Sequence, residues 1–136
     1  MANASDYLEQ QIYNHIFRND TFSKPSTIAI GLCPSPPTDA GYTEVADANG
    51  YARIPNASGD ALWSAHGTDG PGSNAIEFSF DTATGDWGWV SGVIITDNVT
   101  HSAGNLLLHG SLTTPKLVQN GDTFKFAIGD LDVTIS

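Results

Sequence analysis

Four histidines, fifteen carboxylates and one thiol are the groups in this chain best suited to chemistry. His15, His66, His101 and His109 are far apart, with no H-x-x-x-H or H-E-x-x-H pair to put two imidazoles on one helix face for zinc. His101 or His109 with Asp97 is the acid/base pair that the chain order allows. A nucleophile elbow needs G-x-S-x-G, and Ser91 in Val90-Ser91-Gly92 lacks the first glycine. Two oxygen-rich turns, Asp81-Thr82-Ala83-Thr84-Gly85-Asp86 and His66-Gly67-Thr68-Asp69, lack the spacing of an EF-hand loop and read as solvated turns. The expectation is no catalytic residue, no metal site, no cofactor and no enzymatic activity.

Trp63, Trp87, Trp89, Tyr42 and Tyr51 offer ring faces on which a sugar can stack, with acids nearby to accept its hydroxyls. A small β-domain also needs large rings in its core or at a subunit contact, and that reading comes first. Cys33 has no partner for an intrachain disulfide and reads as a buried thiol on a strand, with a reactive thiol as the alternative.

Fifteen acids against five bases give a net charge of -10. Arg18, Lys24, Arg53, Lys116 and Lys125 are scattered, whereas phosphate contacts need clustered cations, so nucleic acid is not an expected partner. The acids serve solubility, or suit a basic partner. No apolar run reaches the ~20 residues of a membrane span, and MANASDYLEQQ has neither the basic region nor the apolar core of a secretory signal. The sequons at Asn3, Asn19, Asn56 and Asn98 are therefore read as chance in a polar composition.

The elements that position these residues are mostly strands. One helix is expected near the N-terminus, capped by Ser5 or Asn3 and stopped at Asn19-Asp20. Its stripe of Leu8, Ile12 and Ile16, joined by Tyr7 and flanked by Tyr13 and Phe17, must dock on its own sheet or on a neighbouring subunit. Period-two alternation places Ile28, Ile30 and Leu32 on one strand face, and Ile76, Phe78 and Phe80 on another. It also groups Trp87, Trp89, Ser91, Val93 and Ile95, then Phe124, Phe126 and Ile128, and finally Leu131, Val133 and Ile135. Short strands are also expected at Tyr51–Pro55, Ala61–Trp63 and Leu106–His109. The expected core is Ile28, Ile30, Leu32, Phe78, Phe80, Trp87, Val93, Ile95, Phe124, Phe126, Leu131 and Val133. About eight short strands with turn signals between them predict a mainly β chain, an antiparallel, jelly-roll-like β-sandwich with one N-terminal α-helix. At 136 residues it is expected to be a single domain, with residues 1–20 as a helical arm and 27–136 as the sandwich. The turn-rich loop from Pro34 to Gly50 is long enough to be interfacial. Expected partner contacts are Tyr7, Leu8, Ile12 and Ile16 on the helix, and Pro36, Pro37 and Tyr42 in that loop.

Three blocks carry a resemblance. The first runs from Ile28-Ala29-Ile30-Gly31-Leu32 through Pro37-Thr38-Asp39-Ala40-Gly41 and Thr43-Glu44-Val45 to Gly50-Tyr51-Ala52-Arg53. The second is Asp86-Trp87-Gly88 leading into Val90 to Ile95. The third holds Gly104-Asn105-Leu106-Leu107, Gly110, Leu112-Thr113-Thr114-Pro115-Lys116 and Asn120-Gly121-Asp122-Thr123-Phe124 through Gly129-Asp130-Leu131. In order and spacing the chain resembles small virion proteins of tailed bacteriophages, often labelled tail-fibre-like. The resemblance implies a non-enzymatic structural protein of the virion. With no shaft repeat or coiled coil in the sequence, the address expected first is the head. There a cement or decoration protein would form homotrimers and bind the major capsid protein or other virion proteins. A tail-fibre or baseplate-associated module binding a receptor or glycan is the alternative.

Overall fold

The computed structural model describes residues 2–55, 57–68 and 70–135. Its centre is the pair β5 (Gly88–Thr96) and β6 (Leu106–Val118), antiparallel and joined by the polar turn of residues 97–105. β2 (Ala29–Cys33) lies against β5 in unbroken register from Ala29↔Thr96 to Cys33↔Gly92. On the other flank of β6 comes β1 (Ala2–Ala4), then β8 (Asp132–Thr134) and β3 (Gly72–Ser73), so the six-stranded order is β2-β5-β6-β1-β8-β3. β4 (Phe78–Ser79) and β7 (Lys125–Phe126) form a separate two-stranded sheet. Side chains from both sheets meet in one core cluster containing Ile30, Leu32, Val90, Val93, Ile95, Phe78, Phe126 and Leu131. The chain is thus mainly β with one N-terminal helix, α1 (Asp6–Phe17).

Several expectations need correction. Residues 2–4 are not part of a helical arm. They form a strand inside the main sheet, because Ala2 and Ala4 are small enough to be buried between β6 and β8. β1 and β8 run parallel, so the sheet is not wholly antiparallel. The Tyr51–Pro55 and Ala61–Trp63 segments are not strands but hold single bridges, Ile30↔Ile54 and Trp63↔Asn74. The Leu106–His109 strand continues through Pro115, which a regular ladder would exclude for want of an N–H. It is tolerated because β6 leaves register there, between Val90↔Lys116 and Gly92↔Ser111.

That irregularity also reverses the alternation of β5. Across a bulge the inward parity shifts. Val90, Val93 and Ile95 therefore face the core, while Trp89, expected with Val93 and Ile95, is 59% exposed. Ile76 and Ile128 also lie outward, because β4 and β7 are only two residues long and the alternation does not extend to them. Of the expected core, Ile30, Leu32, Phe78, Phe80, Val93, Ile95, Phe124, Phe126 and Leu131 are buried. Ile28, Trp87 and Val133 are half-buried at its margin.

Ser5 starts α1. Its hydroxyl accepts from the Leu8 N–H at 3.2 Å and donates to the Leu106 carbonyl. Asp6 and Glu9 in the first turn suit the positive end of the helix dipole. The Arg18 N–H donates back to the Asn14 carbonyl and ends the helix immediately before Asn19-Asp20, the expected stop.

Candidate functional site

The densest polar chemistry lies in the long loop between β2 and β3. Asn49 and Gly50 both take positive φ, 57° and 82°, and turn the chain back so that residues 42–54 flank β2. Val45 donates to the Leu32 carbonyl, Ile54 pairs with Ile30, and Ala57 donates to Ile28. The exposed edge that β2 would otherwise present is thereby closed. Glu44 and Arg53 meet beneath this cover at 2.8 Å with fully buried side chains. Arg53 also donates to Glu44 Oε2, Thr96 Oγ1, the carbonyls of Asn98 and Ala103, and the Tyr42 hydroxyl. Tyr51 donates to Glu44 at 2.5 Å and accepts from the Leu32 N–H. Ser102 N–H donates to the other carboxylate oxygen.

Burial alone would raise the Glu44 carboxyl. Hydrogen bonds from Arg53, Tyr51 and Ser102 outweigh it and hold the group below the ordinary carboxylate range. Burial and the Glu44 carboxylate push the Tyr51 phenol well up. Among the described residues no buried side-chain nitrogen or oxygen lacks a partner. The cluster is therefore saturated, and its work is to fasten a loop to a sheet. In the sequence Glu44 stands only inside a resemblance block, and Arg53 there and among the scattered bases, with no motif that pairs them. A usable signal was an arginine, one of five bases, set in the short apolar run Tyr51–Ile54.

The expected acid/base pair does not form. Both Asp97 carboxylate oxygens accept from Asn105, while His101 bonds the Val45 carbonyl and His109 bonds Asp39 at 2.5 Å. In the Asp81–Asp86 turn, Thr82 pairs with Thr123 and Asp86 accepts from the Asn120 N–H. No metal-binding group of side chains occurs among the described residues. Asp69, from the second oxygen-rich turn, and the Asn56 sequon lie outside the described residues.

The five rings considered for a sugar are dispersed. Tyr51 is buried, and the indole N–H groups of Trp63 and Trp87 donate to the Ala57 and Asn49 carbonyls. Trp89 stands alone with Leu117 as an exposed cross-strand pair. Tyr42 instead joins Tyr7 across a cleft of about 420 Å³, lined also by Asp6, Gln10, Asp39 and Asn105.

An open apolar surface lies on α1. Leu8 is buried and anchors the helix to the body, so it is not a partner contact as expected. Tyr7 and Ile12 are half-buried, and Ile16 is 64% exposed. Tyr13 and Phe17 stack on each other at 5.0 Å, 57% and 71% exposed. With Ala4, Glu9, Ile12, Ile16 and Ile135 they line an apolar groove of about 260 Å³. Of the loop contacts, Pro36 is exposed and Tyr42 half-buried. Pro37 is not available, because it is buried against Gly92, where a Cβ would come within 2.4 Å of its ring.

These features define a β-sheet body with a fastened loop and an open apolar helix face. The family model for Podophage GP4 fiber I protein gp80 matches residues 3–134, and the chain belongs to that family. It is thus a tailed-phage virion structural protein of tail-fibre type, and its place is the virion. No curated protein matches the chain.

Proposed function

We propose that this chain is a fibre component of a podophage virion and works by assembly, without catalysis. The fibre reading replaces the head-cement reading expected first, since the matched family is one of fibre proteins. The observation that carries the assembly role is the α1 face. Tyr13, Ile16, Phe17 and Ile135 are each about half or more exposed and share one groove. An apolar patch rimmed by polar residues marks a protein contact. The saturated Glu44–Arg53 cluster supports the non-enzymatic half of the reading. The direct test is cryo-electron microscopy of the virion, or immunogold labelling. Density at the tail fibres is the expected result, and density only on the head shell overturns it.

The cleft between Tyr7 and Tyr42 favours a second reading, contact with a neutral glycan. Its carboxylates and amides suit sugar hydroxyls, and no cation lines it. Titration of the folded chain with N-acetylglucosamine, followed by NMR, should shift the Gln10 and Asn105 side-chain amides. An unchanged spectrum at high sugar concentration removes this reading.

A further inference from the structure

A second groove, between β6 and β7, is lined by charge rather than by open rings and measures about 270 Å³. Phe124 and Phe126 border it but are themselves buried, so the wall that a ligand meets is mainly polar. That wall holds Thr113, Thr114, Lys116, Lys125 and Asp130, all exposed. Lys116 is held in place: its ammonium stands 5.5 Å from the centre of the Phe124 ring, within cation–π range. The ring is fixed in turn by edge-on packing against Phe80 and Phe126, at 5.9 and 5.2 Å. A ligand that meets Lys116 therefore has less side-chain freedom to remove. Neither lysine forms an ion pair among the described residues, although the chain has fifteen acids. Asp122, two positions before Phe124, accepts from the Gln119 N–H, and Asp86 accepts from the Asn120 N–H. Two ammonium groups against the Asp130 carboxylate leave this groove net positive on a chain of net charge -10. A concave surface of one sign concentrates ions of the other.

We propose that this groove binds one acidic sugar unit, a saccharide ring that carries a carboxylate. The carboxylate lies between Lys116 and Lys125, which hold it by charge-assisted hydrogen bonds. Asp130 accepts protons from ring hydroxyls, and the Thr113 and Thr114 hydroxyls serve the remaining ones. Asp130 is the residue that selects the ligand class. Its charge repels a plain anion such as phosphate and favours a ligand that brings hydroxyl donors together with its acid. An acidic peptide is the poorer occupant, because a peptide contact draws its strength from buried apolar anchors and this groove leaves little apolar surface open. The volume suits a single ring. The groove is separate from the Tyr7–Tyr42 cleft, and the inference rests neither on that cleft nor on the fibre reading.

NMR titration of the full chain at about 0.15 M salt tests it. The probes are methyl glucuronide, its neutral counterpart methyl glucoside, inorganic phosphate and a short glutamate peptide. The glucuronide should shift the backbone amides of Thr113, Thr114 and Lys125 in a saturable way. The glucoside and phosphate should bind there at least about tenfold more weakly. The double change Lys116→Gln with Lys125→Gln should weaken the glucuronide by a similar factor. Asp130→Asn should weaken the glucuronide yet tighten phosphate, a pair of opposite effects that a bare cation patch does not give. These side chains are exposed, and circular dichroism checks that the variants stay folded. No shift with the glucuronide at high concentration overturns the proposal. So does phosphate or the glutamate peptide binding as well as the glucuronide, or an Asp130→Asn variant that binds both anions more tightly. Gln10 and Asn105 report the Tyr7–Tyr42 cleft in the same spectra, so failure at either site leaves the other standing.

Discussion

Glu44 is the residue on which most of the loop geometry depends. Replacing it with Gln keeps the shape but leaves the Arg53 guanidinium buried without its counter-charge. Breaking such a pair costs about 3–5 kcal/mol, and urea unfolding should register that loss. The pH dependence has a definite sign. The folded carboxyl is held below its ordinary range, so its stabilisation is fully present above the unfolded value of about 4.3. That contribution is lost as the pH falls through the folded value. The gap in unfolding free energy between wild type and Glu44→Gln should therefore narrow in acid, and a gap that stays constant would contradict the assignment. Cys33 gives a simpler check. Burial, with the Glu44 charge adding to it, pushes its thiol up to about 12. It should resist a thiol reagent at pH 8 in the native state and react once unfolded.

Among the elements, α1 and β5 show where pattern reading works and where it stops. The helix was legible from Ser5, the acidic first turn and the four-residue spacing of Leu8, Ile12 and Ile16. Its orientation was not, because the stripe continues through Tyr13 and Phe17 around half the circumference, and docking decides which part is covered. Ser5→Ala removes both the cap to Leu8 and the bond to Leu106. A loss of about 1–2 kcal/mol is expected in thermal or urea unfolding. In β5 the alternation was correct on either side of the irregularity and wrong across it. Gly92 sits at that point against Pro37 and Cys33. Gly92→Ala should push the proline off the strand and destabilise the fold by about 1–3 kcal/mol, an overpacking cost. Unfolding free energy unchanged within error would mean that the loop yields without strain.

For the molecule as a whole, the family match and the open α1 face both support the proposed role, contact inside a virion. Virions carrying Phe17→Asp should show reduced occupancy of this chain by quantitative gel analysis, while Trp89→Ala, on the separate β5–β6 patch, should leave occupancy unchanged. Residue types and their spacing by themselves determined a mainly β chain, the N-terminal helix, most of the buried set and the absence of a recognisable reaction-centre motif. Those properties follow from local period and turn chemistry, which act over a few residues. Tertiary structure alone decided that residues 2–4 enter the sheet beside β6, that a bulge turns Trp89 outward and that Glu44 reaches Arg53. It also decided which part of the helix stripe stays open. Each depends on segments far apart in the chain meeting in one register, and no local pattern encodes that meeting.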